Sequence, residues 1–290
     1  MVTLEFTKIV KRYKEGFSER LRRIVGLKPH LAYFELNLVD DCNMRCKGCS
    51  HFSPIAEKQF TRLEVYKRDL QQLSKLFSTI DTIRLLGGEP LLHPEIVSFL
   101  SFTRSCFPKA NIDIVTNGVL LPTMHEGFWS ACRKFSISIY VTIYPPSKGR
   151  ESTFAQLADA KGVAVQTNSV SFFHAFFNSK GDTDVKAAFR KCRSRFYCPM
   201  LREGKLYVCC LSSNINIFNK YFGLEIPNTG FVDIYADGVT GWTIKERLQK
   251  ASPTCSYCTL GWDSIPVFPW GLSTRTLEDY DSSGISDRSR

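Results

Sequence analysis

Cys42, Cys46 and Cys49 fall within CNMRCKGC, a C-x3-C-x2-C spacing directly after the apolar run AYFELNLV. Three thiolates so close together can hold three corners of one iron–sulfur cube and leave the fourth iron without a protein ligand. Protein cysteines normally fill all four positions of a [4Fe–4S] cluster that only carries electrons. A vacant iron instead offers a place where a small molecule binds and receives an electron. The competing reading is a zinc ion with His51 as fourth ligand, although structural zinc sites favour a close cysteine pair matched by a second, distant pair.

Two further motifs sit in equivalent places. Gly87-Gly88-Glu89-Pro90 follows the apolar run Thr82 to Leu86, and Thr116-Asn117-Gly118 follows Ile112 to Val115. Each closes a predicted strand, on the edge where parallel α/β sheets place their ligands. In order, separation and strand context, CNMRCKGC, GGEP and TNG resemble the radical S-adenosylmethionine (radical SAM) superfamily, over about residues 30 to 170.

That resemblance implies a [4Fe–4S] cluster on Cys42, Cys46 and Cys49, with SAM chelating the open iron. Reductive cleavage then yields a 5′-deoxyadenosyl radical that takes a hydrogen atom from the substrate. An electron donor such as a flavodoxin or ferredoxin is implied as partner. Gly87, Gly88 and Glu89 are expected to accept hydrogen bonds from the SAM amino group, the glycines permitting close backbone approach. Asn117 and Ser138 are expected at the SAM ribose or carboxylate. The family often places an aromatic residue against the adenine just before the third cysteine. Gly48 stands there in this chain, and Phe52 is the expected substitute.

The elements that must position these residues alternate along the chain. Strands are predicted over 32–39, 82–86, 112–115, 135–142 and 163–167, with helices over 61–78, 94–106, 124–134 and 153–160, the last closed by Gly162. Such alternation gives a parallel sheet with crossover helices, here a partial (β/α)6 TIM-like barrel over residues 31–190. The aromatic stretch SFFHAFFNSKGD from Ser169 is expected to supply the last barrel strand or line the pocket. Residues 3–25 read as an amphipathic basic helix, with Leu4, Ile9, Tyr13, Phe17, Leu21 and Ile24 at helical spacing. It is expected to pack on the main domain, with membrane-surface contact as the alternative.

Six more cysteines crowd the last third: Cys192, Cys198, Cys209, Cys210, Cys255 and Cys258. Gly204 and the alternating run to Cys209 suggest a tight hairpin presenting a thiolate, and Cys255 and Cys258 form a C-x2-C pair after a helix over 243–250. This arrangement resembles the twitch module, the shortened SPASM extension of radical SAM enzymes, in residues 191–270. The resemblance implies one auxiliary [4Fe–4S] cluster on Cys192, Cys209, Cys255 and Cys258. Cys198 competes with Cys192, and Cys210 with Cys209; in a strand those last two would face opposite ways. A zinc knuckle is the alternative for the same four ligands. Cys106 and Cys132 lie on predicted helices and read as inert buried thiols. His51 and His93, beside the cluster loop and GGEP, are expected to be structural, with shaping of the SAM pocket or proton relay as the alternative. The polar tail 271–290 is expected to be mobile over its last dozen residues.

Composition narrows the function. The chain has 290 residues, 43% hydrophobic, and no run of 18 apolar residues that would span a membrane. The N-terminus lacks the apolar core of a secretory signal. Eleven cysteines without such a signal point to a reducing, cytoplasmic setting and to metal. The formal charge of +10 is concentrated in residues 1–30 and 186–206. It favours anionic partners in general and mildly favours a phosphorylated or nucleotide-linked substrate; no nucleic-acid partner is expected. The resemblance to small twitch-bearing enzymes implies oxidation of, or elimination from, a small sugar- or nucleotide-like alcohol. A peptide-modifying maturase and a non-catalytic cluster-binding protein are the alternatives.

Overall fold

A computed structural model describes residues 19–195 and 197–284. Five parallel strands come first: β1 (His30–Val39), β2 (Thr79–Gly87), β3 (Asn111–Thr116), β4 (Ile137–Ile143) and β5 (Val165–Ser169). Four helices connect them: α1 (Leu63–Leu76), α2 (Ile96–Cys106), α3 (Glu126–Lys134) and α4 (Glu151–Lys161). The strands lie side by side in chain order. Right-handed crossovers that always step the same way put every helix on one face, which is the winding of a partial barrel.

The alternation of β4 shows why. Ile137, Ile139, Val141 and Ile143 are buried, while Ser138, Tyr140 and Thr142 between them are half-buried on the other face. Tyr66, Leu70 and Leu73 put one stripe of α1 against the same core. Each such side chain contributes about 1.5–3 kcal/mol on full burial. Arg104 closes the outer layer, donating to the carbonyls of Phe107, Pro108, Ala110, Phe135 and Ser136.

The rest of the chain is β6 (Phe172–His174), α5 (Val185–Arg195), β7 (Met200–Arg202), β8 (Lys205–Tyr207), α6 (Cys210–Phe222), β9 (Phe231–Asp233), α7 (Gly241–Leu248) and β10 (Val267–Pro269). The sixth parallel strand is β7, and it joins the sheet beside β1 rather than β5. β8 and β9 continue that edge antiparallel. The turn between β7 and β8 is Glu203-Gly204, both left-handed (φ 49° and 75°), the geometry of a two-residue hairpin turn. Asp69 of α1 docks this hairpin, accepting from the Gly204 N–H and the Tyr235 hydroxyl at 2.7 Å each.

Three expectations change, and a fourth lies mostly outside the described residues. The aromatic stretch after Ser169 is not a barrel strand: β6 pairs antiparallel with β10, outside the main sheet. β6 begins too soon after β5 for a parallel crossover, which needs a dozen or more residues. Cys209 and Cys210 are not strand residues with opposite faces; Cys209 caps α6 and Cys210 is its first residue. Of the tail's last dozen residues, 279–282 are packed, while 285–290 lie outside the described residues. Asp279 and Tyr280 are buried, and Ser273, Thr274 and the Arg275 N–H all donate to Asp279. Its serines are partners of buried carboxylates rather than solvent-facing filler. The basic helix falls mostly on residues 1–18, outside the described residues; its end, residues 19–24, is helical and tied down by Lys245 Nζ on Glu19.

Candidate functional site

The three motifs meet at the C-terminal edge of β1, β2 and β3. GGEP is pressed against the strand end that leads into the cysteine loop. The Gly88 N–H donates to Val39 O at 2.7 Å, and the Glu89 N–H to Asp41 O at 3.0 Å. A Cβ on Gly87 would lie 2.2 Å from Val39 O, and one on Gly88 would lie 2.1 Å from Asp41 O. The two glycines are therefore demanded by backbone approach to the cysteine loop, before any ligand is considered.

Glu89 is fully buried and joins the second motif to the third. Its carboxylate accepts from the Leu91 N–H (3.1 Å), the Thr116 hydroxyl (2.7 Å) and the Asn117 N–H (2.9 Å). Burial outweighs these donors and raises its pKa to about 7. Asn117 then carries the link onward: its Nδ2 donates to Asn43 Oδ1 (2.7 Å) and reaches Cys42 Sγ at 3.6 Å.

Each sulfur of the triad meets N–H donors. Cys42 accepts from the Met44 N–H at 3.4 Å as well as from Asn117. Cys46 accepts from the indole N–H of Trp270 at 3.3 Å. Cys49 accepts from the backbone N–H groups of Ser53 and His51. As free thiols all three are pushed up, chiefly by burial, Cys46 to about 11. One buried and two half-buried sulfurs, each met by donors, suit thiolates neutralised by a metal centre, because donors stabilise the charge and orient the ligand. The donor set fits a cluster.

Other expected residues lie elsewhere. Ser138 is the second residue of β4, opposite Asp113 in the β3–β4 register, at the strand's N-terminal end and away from the edge where the motifs meet. Phe52 is 1% exposed and left-handed (φ 56°), with its ring packed against Phe177, Phe218 and Tyr280. Its side chain belongs to this second core and is not presented to a ligand. Beside Gly48 instead stand Phe268 and Phe173, 3.0 Å and 3.4 Å from where a Cβ would lie. His93 is structural, with Nε2 on Thr61 O and Nδ1 accepting from the Glu95 N–H. His51 is half-buried near Asp40 and Arg202, and desolvation lowers its pKa to about 4.

The second cysteine group also converges. Cys209 is influenced by the charges of Cys210, Cys192 and Cys255, and Cys258 by those of Cys192, Cys255 and Cys210; burial dominates both upward shifts. Cys198 lies against Cys210, with sulfurs 3.9 Å apart. Among the described residues, no three His, Cys, Asp or Glu side chains stand close enough to hold a single metal ion.

Three residues at the site had no motif to reveal them. Tyr144, just past β4, is half-buried, and its hydroxyl is pushed up by desolvation and by the charges of Cys46, Cys49, Cys42 and Glu89. Its ring stacks on Phe173 at 5.5 Å. Arg202 of β7 grips Asp40, beside the cysteine loop, with two bonds of 2.9 and 2.6 Å. Trp270 arrives from the far end of the chain. Position after a strand could have flagged Tyr144; nothing local distinguishes the other two.

Residues 36–160 match the radical SAM superfamily. The match covers less than half of the chain. GTP 3',8-cyclase of Alkaliphilus oremlandii (strain OhILAs) is 30% identical over 126 residues, 42% of this chain and 38% of that protein. Molybdenum cofactor biosynthesis protein 1 of Bos taurus is 32% identical over 113 residues, 35% of this chain and 17% of that protein. The chain thus spans well under half the length of these relatives. Among solved structures, BtrN in complex with AdoMet and 2-DOIA aligns over 80% of this chain and 94% of its own, at 16% identity and a TM-score of 0.46. Among the described residues no helix is long and apolar enough to cross a membrane.

Proposed function

We propose that this chain is a radical SAM enzyme acting on a small polar substrate, with Cys42, Cys46 and Cys49 holding the catalytic cluster. The observation that carries the reading is the continuous chain of contacts from Cys42 through Asn117 to Glu89, which locks three motifs into one site. When bound, the cluster and SAM supply a 5′-deoxyadenosyl radical that removes hydrogen from the substrate. The protein's part is to hold and shield. Gly87 and Gly88 let GGEP lie against the cysteine loop, and the backbone carbonyls of this motif would accept hydrogen bonds from the SAM amino group. The Glu89 carboxylate is already bonded to three donors, so it acts chiefly as the strut that keeps this edge rigid. Asn117 orients the loop through Asn43, and Tyr144 walls the site against water.

The helix-free face of the sheet supports a polar, hydroxyl-bearing substrate. Tyr33 and Glu35, hydrogen-bonded to each other, lie beside Arg84, which reaches Asp113 at 3.5 Å and lies over Tyr33 and Tyr140. Such a surface suits a sugar or nucleotide, the class named by the GTP 3',8-cyclase relatives. Cys192, Cys209, Cys255 and Cys258 would hold an auxiliary [4Fe–4S] cluster, their mutual proximity supporting that set.

The test is anaerobic reconstitution followed by dithionite and SAM. The parent is expected to release 5′-deoxyadenosine, and a variant with Cys42, Cys46 and Cys49 all changed to Ala to release none. Equal release from that variant would refute the assignment. Changing Cys255 and Cys258 to Ala should remove about four irons per chain and leave the first cluster's spectrum; loss of zinc instead would refute the auxiliary cluster.

A further inference from the structure

Residues 45–47 of the cysteine loop find their backbone partners in a strap just after β10. The Lys47 N–H donates to Gly271 O at 2.8 Å, and the Ser273 N–H to Arg45 O at 2.7 Å. Cys46 and Leu272 form an antiparallel bridge. The strap is itself anchored, because the Trp270 N–H donates to Ser171 O at 2.9 Å. This places the half-buried Trp270 with its indole N–H on Cys46 Sγ at 3.3 Å. An indole nitrogen can only donate, and Cys46 is 6% exposed, so water competes little for the bond.

The donors to Cys42 and Cys49 come from the loop itself and from the neighbouring TNG motif. The donor to Cys46 comes from more than two hundred residues away in the chain. Hydrogen bonds to the sulfurs help set the reduction potential of an iron–sulfur cluster. Reduction adds negative charge to the cluster and its thiolates, so a fixed donor gains more in the reduced state and raises the potential.

We propose that Trp270 is a positioning residue whose indole N–H, on Cys46, raises the reduction potential of the cluster held by Cys42, Cys46 and Cys49. This rests on the cluster assignment made above. Docking of the strap and reduction of the cluster are thereby linked. Each favours the other by the same factor, as linkage requires.

The test uses the full chain, reconstituted anaerobically, as parent, as Trp270→Phe, and with β-(3-benzothienyl)alanine at position 270. The benzothienyl group keeps the indole's shape and replaces its N–H by sulfur. Iron content is measured first. Potentiometric titration is then followed by electron paramagnetic resonance, using the signal that changes when SAM is added. Both variants are expected to hold the parent's iron. At the parent's midpoint potential, their reduced-to-oxidised ratio should be about tenfold lower, a shift of about 59 mV for one electron. An unchanged or higher midpoint in the benzothienyl variant would overturn the proposal, as would failure of that variant to hold iron, which would make the contact one of retention. If instead the parent takes up no iron that Cys42, Cys46 and Cys49 account for, the cluster assignment itself fails before Trp270 is tested.

Discussion

Raising the pH from about 4.5 to about 7 should destabilise this fold through Glu89. The carboxyl is fully buried, and burial lifts its pKa from 4.5 to about 7 despite three donors. Its folded pKa lies above its unfolded value, so between those two points the folded chain holds a proton that the unfolded chain has lost. Stability then falls as pH rises through that window and is level above it. A shift of about 2.5 units at 1.36 kcal/mol each gives roughly 3 kcal/mol, which is about 1 M in the urea midpoint for a slope of about 3 kcal/mol/M. Other groups titrate too, so the quantity to follow is the difference between the parent and Glu89→Gln, both cluster-free, across pH 4 to 8. Glutamine cannot ionise, and its amide meets one of the three donors with another N–H, a constant cost of about 1–3 kcal/mol. The parent should lose its advantage over the variant by about 3 kcal/mol between the two ends of the window. A flat difference would show that the Leu91, Thr116 and Asn117 donors balance burial. A difference that grows with pH would show that they exceed it, and the reasoning would be refuted.

Two substitutions probe the supports of the same edge. Arg202→Met leaves Asp40, 8% exposed in its side chain, without its bidentate partner. It should cost about 3–5 kcal/mol in chemical denaturation, most of it recovered when Asp40→Asn is added. Gly118→Ala forces a left-handed residue (φ 75°) to carry a Cβ 2.6 Å from Val141 Cγ1 and 2.7 Å from Phe154 Cζ. A loss of about 2–5 kcal/mol is expected, combining the left-handed penalty of about 1–2 with overpacking of about 1–3. A loss below 1 kcal/mol would mean that the TNG turn is not as tightly held as its contacts indicate.

The parallel half of the fold was legible because its signals are local. Ile137, Ile139, Val141 and Ile143 alternate with polar residues, and Gly162 sits at φ 61° where α4 has to stop. The cysteine triad and GGEP were legible because their chemistry needs fixed spacings within one loop. What escaped was set by contacts between distant parts of the chain. Phe52 reads from sequence as a residue free to face a ligand, since it lies three positions past Cys49. Its burial follows from Phe177, Phe218 and Tyr280 converging on it from three separate elements. The edge chosen by β7 is likewise decided outside β7, by Asp69 on α1 and Asp40 after β1, which hold Gly204 and Arg202. The tail misled for the same reason. Serine and aspartate in series suggest solvent, yet the buried Asp279 and the half-buried Asp281 gather hydroxyls and N–H groups from Ser273, Thr274, Ser179 and Ser283 and become anchors. These anchors fasten the last described residues beside the loop that carries Cys46. The far end of the chain is therefore part of the site's wall, and a truncation before Trp270 would remove a donor to Cys46 as well as the strap that holds residues 45–47 in place.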